Sequence, residues 1–411
     1  MQAIFGLAVL LFVCWLGSEA RSQVSWRFVA MGLLFQTVIA LLLLKVTWVA
    51  ELLLSLNVLI ESIEEATRAG TVFLFGFLGG DRFPIALDTP EGPYLFAFRV
   101  LPQVVVFSVI VALLWHWKVL SIIVRGLSWA LRNTLKVSGT VATAAAASLF
   151  LGMIETPLVI RAYLARLTRS EFFTVMTLGM STVAGSVMVL FAALLADVME
   201  GVIGHILTAS MINAIGALYI SRILVPEDRT ISTQDIEIDL GYISSMDALA
   251  QGTKDGLALA VNVGAMLLVL ISFVALGNII LDHLSPSGMT LTIQGTLGML
   301  FAPIAWLIGI PWYEAIPAGG LLGTKLVLNE LVAYIQLAEI SGQFSAQSQL
   351  ILIYALCGFA NVGSLGVLIG GLSVLVPERK AEYLAIAPKS VLAGTAVTLV
   401  TGALVGLISA L

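Results

Sequence analysis

The chain has 411 residues, 59% of them hydrophobic and only 11% charged, with a mean hydropathy of +1.05. A soluble globular domain carries about 25% charged residues, so the composition excludes that class and points to a polytopic, all-α membrane protein. A net charge of −5 spread over this length argues against a nucleic-acid partner. Two cysteines, Cys14 and Cys357, each inside an apolar run, exclude a disulfide framework.

Apolar stretches near the roughly 20-residue length of a spanning helix fall at 2–18, 28–49, 100–117, 171–198, 202–222, 257–282, 347–376 and 388–410. They predict about eight transmembrane helices. Residues 2–18 lack a basic leader and a small-residue cleavage site, so they read as a retained span and not a signal peptide. Interrupted apolar stretches lie at 119–136, 139–165, 291–310 and 315–340. The first has basic residues at helical spacing and predicts an interfacial helix; 291–310 is its expected counterpart in the second half.

Lysine and arginine placement sets the orientation. Arg21 and Arg27 follow the first span, and Lys118, Arg125, Arg132 and Lys136 follow the third. The segment between is acidic, with Glu51, Glu61, Glu64, Glu65, Asp81, Asp88 and Glu91. The N-terminus is therefore expected outside, with the first and third connections in the cytoplasm. Arg161, Arg166 and Arg169 are basic again, which conflicts with a full crossing over 139–160. A hairpin entering and leaving from the cytoplasm removes the conflict. The same reasoning, with Asp282 and His283 outside and Arg379, Lys380 and Lys389 inside, makes 315–340 re-enter from the opposite face. Two re-entrant hairpins of opposite entry, each followed by a span, describe an inverted repeat. A faint echo supports it: Gly139-Thr140 precedes Glu155, and Gly323-Thr324 precedes Glu330.

Glu155 and Glu330 are the acids set deepest in apolar surroundings. A carboxylate inside the bilayer is costly and marks a functional position by default, although pairing with a neighbour to fix helix packing is the plainer reading. Gly152 and Pro157 flank Glu155 and predict a broken helix facing protein or a water-filled cavity. Lys325, five residues before Glu330 and close to Asn329, either neutralises that acid or, the preferred reading, snorkels to the interface. Asn361 and Ser364 share one helical face, with Phe359 close by. They serve as ligand contacts or as interhelical glue. Ser181, Thr182, Gly185 and Ser186 offer the hard oxygens that a small cation prefers, or simply pack. His116, His205 and His283 stand alone. No nucleophile–base pair or metal cluster is visible, so neither an enzyme nor a bound cofactor is expected.

Several long runs resemble the concentrative nucleoside transporter family. They are LFAFRVLPQVVVFS (95–108), GMIETPLVIRAYLARLTRSEFFTVMT (152–177), STVAGSVM (181–188), NVGAML (262–267), FAPIAWLIGIPW (301–312), GTKLVLNELVAY (323–334) and YALCGFANVGSLG (354–366). The resemblance runs in order from about residue 70 to the C-terminus. It implies a homotrimer in the bacterial inner membrane, importing nucleosides by an elevator-type movement coupled to sodium or protons. The implied division is a scaffold over 1–117, a first transport half over 118–200 with a hairpin at about 139–168 and an unwound helix at 171–198, and scaffold and linking helices over 201–285. A second transport half over 286–376, with a hairpin at about 315–340 and an unwound helix at 347–376, precedes a C-terminal helix over 377–411.

Carried over by position, Gly152, Met153, Ile154 and Glu155 face the nucleobase. Glu330, Asn361 and Ser364 hold the ribose hydroxyls, with Phe359 beside the sugar. Sodium sits among Ser148, the carbonyls of Leu151 and Val183, and the hydroxyl of Thr182. Two departures stand out. The family usually has Gly-Gln-Thr/Ser-Glu where this chain has Gly152-Met153-Ile154-Glu155, and asparagine where it has Ser148. The first opens the alternative of a non-standard nucleoside or another small hydroxylated ligand. The second leaves the coupling ion open between sodium and the proton.

Overall fold

The computed structural model describes residues 2–46, 62–63, 65–80, 95–196, 198–199, 201–227, 241–284 and 292–410. Among them every regular element is helical, as expected where backbone groups can pair only within their own segment. The acidic connection expected over residues 50–98 lies mostly outside the described residues.

Helices α1 (Gln2–Leu16) and α2 (Trp26–Lys45) lead to α3 (Leu101–His116), which carries Pro102 in its first turn, where a missing N–H costs nothing. Helix α4 (Val119–Leu135) is amphipathic. It buries Leu120, Val124, Ser128, Leu131 and Leu135 at spacings of three and four, and leaves Ile122 and Trp129 exposed on a helix bearing Arg125 and Arg132. The left-handed residues Lys118 and Lys136 bound it at φ 62° and 51°.

The first half continues as α5 (Gly139–Ala147), α6 (Glu155–Val159), α7 (Arg169–Ser181) and α8 (Gly185–Leu195). Ser138 caps α5 by accepting from Val141 N, and Thr168 with Glu171 forms a capping box on α7. Helices α9 (Val202–Leu224) and α10 (Ser245–Leu284) follow. The second half repeats the pattern with α11 (Ile293–Leu307), α12 (Trp312–Val327), α13 (Glu330–Ile340), α14 (Ala346–Leu356) and α15 (Val362–Leu375), and α16 (Lys380–Ser409) closes the chain. Helices α11 and α12 meet at a bend of 115°. Among the described residues, six helical runs are long and apolar enough to cross a membrane. Residues Gln2–Leu16 form a shorter apolar helix, and 347–376 is divided between α14 and α15.

Within residues 1–117, expected as scaffold helices, the packing partners differ. Helix α3 lies against α10, so closely that a Cβ on Gly252 would stand 2.8 Å from Val109 Cα. Helices α1 and α2 instead pack on α9 and α16. The pin of that second group is Gln36, fully buried. It donates to Ile212 O and Thr401 Oγ1, both at 3.0 Å, and accepts from Tyr219 OH at 2.6 Å. A buried amide so fully satisfied joins three helices in one register.

At the end of the same bundle, Glu19 between α1 and α2 accepts two hydrogen bonds from Arg169 and one from Lys389, all at 3.0 Å. The hydrogen bond from Arg169, joined by Lys389, holds the Glu19 carboxyl below its usual range. A depressed carboxyl stabilises the fold above its unfolded-state pKa, and that contribution is lost as pH falls through the folded value. The cluster is partly exposed, so its worth is about 0.2–1 kcal/mol. Glu19→Gln is accordingly expected to lower the melting temperature slightly at pH 7 and to match the parent in strong acid, as differential scanning fluorimetry across pH would read.

Candidate functional site

Both halves break their helices around the same point. In the first, α5 ends at Ala147 and residues 148–154 turn before Glu155 opens α6, while α7 stops at Ser181 and α8 resumes at Gly185. Gly185 N donates to Phe150 O at 3.1 Å, tying the turn to that second break. In the second half, Leu328 and Asn329 separate α12 from α13, and residues 357–361 separate α14 from α15. The two unwound stretches touch: a Cβ on Gly358 would lie 2.7 Å from Ser181 O.

A cavity of about 330 Å³ opens where these breaks converge. Glu330 is the first residue of α13, behind Asn329, whose Oδ1 caps the helix by accepting from Val332 N at 2.8 Å. Glu330 Oε2 accepts from Asn361 Nδ2 at 2.9 Å, and Asn361 Oδ1 accepts from Ser364 N at 2.7 Å as the cap of α15. Two helix N-termini thus present a carboxylate, an amide and a hydroxyl to one space, the carboxylate held by Asn361 and the amide by Ser364 N. All three residues are buried. Opposite them, Glu155 folds its carboxylate back over Gly152, where a Cβ would collide with Oε2. A side chain at 152 would push the Glu155 carboxylate out of this position.

Of the predicted site residues, Leu151, Gly152, Met153, Ile154, Glu155, Glu330, Phe359, Asn361 and Ser364 all line this cavity. Ser148, Thr182 and Val183 lie behind it, buried. Ser148 Oγ donates to Ala145 O at 2.9 Å, Thr182 Oγ1 donates to Leu178 O at 2.8 Å, and Val183 N donates to Ser210 Oγ at 3.4 Å. Both hydroxyl oxygens keep lone pairs after donating.

Lys325 does not snorkel. It is 2% exposed, and its Nζ donates to Ala355 O and Thr398 Oγ1, each at 2.7 Å. With acceptors at that distance inside, the stem has no reason to reach for the interface. The far wall of the cavity also escaped the sequence reading. Trp115 from α3, and Tyr242, Asp255 and Asn262 from α10 and the residues just before it, also line the cavity. Asp255 sits in a polar run that reads as a connection; Asn262, inside the NVGAML run, was the one signal available.

Comparison with known proteins then decides the family. Residues 5–78 and 205–406 match the models described as Na+ dependent nucleoside transporter N-terminus and C-terminus, and residues 97–198 match one described as Nucleoside recognition. The Nucleoside permease NupC of Helicobacter pylori is 34% identical over 98% of this chain and 97% of its own. The chain belongs to the concentrative nucleoside transporter family. An uncharacterized transporter of Bacillus subtilis, YutK, is 36% identical over 99% of both chains. Among solved structures of the family, CNTnw in an inward-facing substrate-bound state superposes with a TM-score of 0.89 at 35% identity, over 99% of this chain and 98% of that one. A CNTnw variant in an intermediate state superposes at 0.92 and 34% identity, over 99% of each. The protein is a multi-pass membrane transporter of this family.

Proposed function

We propose that the protein imports nucleosides across the bacterial inner membrane as an ion-coupled symporter and not as an enzyme, working as a homotrimer by an elevator-type movement. The observation that carries the reading is the meeting of Glu155 and Glu330, one from each half, in a single cavity. A ribose offers vicinal hydroxyls, and the Glu330–Asn361 pair with Ser364 offers acceptors and donors at matching short range. Phe359 supplies an apolar wall for the sugar, and Glu155 with residues 152–154 faces the base. Closure of two hairpins of opposite entry around one site supports alternating access over an open pore. The pairing of α3 with α10 offers the stationary wall past which the broken helices travel.

Gradient-driven accumulation of labelled uridine or adenosine into proteoliposomes tests this function. Uptake is expected to exceed equilibrium under an imposed sodium or proton gradient, and no accumulation with either would remove it. The ion is expected where Ser148, Thr182 and the carbonyls of Leu151 and Val183 approach one another. A coupled ion commonly changes substrate affinity by about 5–150-fold. Ser148→Asn, which adds an amide oxygen, is expected to enlarge the factor by which sodium strengthens uridine binding, read by titrating affinity against sodium. An unchanged factor would move the ion elsewhere.

Met153 and Ile154 favour a second reading, a non-standard nucleoside or another small hydroxylated ligand. Both line the base side and neither can hydrogen-bond. An apolar pocket rejects an isostere weakly, by about 10–200-fold, whereas buried polar partners reject by far more. Met153→Gln is therefore expected to widen the spread of uptake rates between uridine and adenosine by about tenfold in a competition assay. A spread that stays constant would take Met153 out of base selection.

A further inference from the structure

Burying an ammonium group costs several kcal/mol unless hydrogen bonds and a favourable field repay it. Among the described residues no other lysine or arginine is buried as deeply as Lys325, and it joins none of the ion pairs there. Its two acceptors explain why it stays. Ala355 lies in the last turn of α14, where carbonyls lose their helical partners and the helix dipole favours a cation. The neighbouring carbonyls are also taken: Tyr334 OH donates to Ile353 O and Asn213 Nδ2 donates to Cys357 O, both at 2.7 Å. Three side chains finish this broken end, one of them charged.

The broken end of α7 is finished with neutral groups. Leu178 O accepts from Thr182 N at 3.1 Å, from Thr182 Oγ1 at 2.8 Å and from Ser181 Oγ at 3.4 Å. No lysine or arginine donates to it among the described residues. The two ends stand back to back through Gly358 and Ser181, and Thr398 of α16, the second partner of Lys325, borders Gly358 as well. Two helix C-termini with their negative dipole ends therefore meet at the centre of the fold. One is neutralised by a tethered ammonium; the other is left to oxygen donors.

We propose that Lys325 is a resident counter-cation, doing at the end of α14 what the transported ion does at the end of α7. It holds the break in the shape that places Asn361 against Glu330, and it confines the coupled ion to the first half. This rests on reading the cavity as a nucleoside site and residues 148–151 and 182–183 as the ion site. Lys325 is a positioning residue, since its ammonium acts through the break and not on the solute.

Lys325→Gln keeps hydrogen-bond donors for both acceptors and removes the charge. The test measures uridine binding and thermal stability of the full chain in lipid nanodiscs, over separate series of sodium and methylammonium. The variant is expected to bind uridine at least about tenfold more weakly. It is also expected to gain a stabilisation by methylammonium that the parent, whose site is already filled by its own ammonium, lacks. Parent affinity with the parent cation response overturns the proposal, because hydrogen bonding alone would then suffice. Weaker binding with no new cation response overturns it too, leaving Lys325 a structural tether. If Lys325→Gln is not monodisperse, Lys325→Ala purified in methylammonium replaces it: amine-dependent stability supports the proposal and indifference to the amine overturns it. Stability is read without substrate, so a parent protein that binds no nucleoside strikes at the cavity reading and not at Lys325.

Discussion

Glu330→Gln is expected to cut nucleoside uptake by about a hundredfold while leaving the protein folded. The carboxylate of Glu330 accepts from Asn361 Nδ2 and has lone pairs left for two sugar hydroxyls. Hydrogen bonds to a charged group are worth about 1.5–3 kcal/mol each, so losing one outright and the charge from the other amounts to about two decades in affinity. Glutamine keeps the size and the first position of α13 but turns one acceptor oxygen into a donor. The fold survives because Asn329 still caps the helix. Labelled uridine uptake, with size-exclusion chromatography as the control, measures both halves of this expectation. Parent-like uptake would move the sugar away from the Glu330–Asn361 pair.

Gly358→Ala is expected to cost both stability and transport. The added methyl would stand 2.7 Å from Ser181 O and 2.8 Å from Thr398 Cγ2. The first is backbone at the end of α7 and cannot swing aside, so the two breaks must separate. Overpacking of this kind costs about 1–3 kcal/mol. It would also displace Phe359 and Asn361, which follow directly in the chain. The expected result is a melting temperature several degrees lower and uptake reduced beyond what the lost stability explains. Gly366→Ala is the control: nothing lies within 4 Å of its added methyl, and it is expected to be neutral. Equal melting curves for the two variants would show that the breaks do not need their close contact.

Much of the site was legible because membrane burial makes polar residues conspicuous. Glu155 between Gly152 and Pro157, Glu330 after Asn329, and Asn361 before Ser364 each interrupt an apolar run, and an interruption at that depth demands a partner or a cavity. The cavity does collect them. What stayed hidden depends on partners far away in the chain. Lys325 reads as a snorkelling side chain until Ala355 and Thr398, 30 and 73 positions on, are brought to its ammonium. The grouping of α2 with α9 and α16 turns on Gln36, one polar residue in an apolar helix whose partners are Ile212, Tyr219 and Thr401. Trp115 and Tyr242 gave no signal, since aromatic residues near the end of a span are ordinary interface anchors.

A structure of the protein with uridine bound, determined by electron cryomicroscopy in lipid nanodiscs, tests the central claim most directly. The account predicts one nucleoside in the cavity, its ribose hydroxyls on Glu330 and Asn361 and its base toward Glu155 and Met153. Uridine seated outside the space between the two carboxylates, or turned so that its sugar meets Glu155, would contradict it.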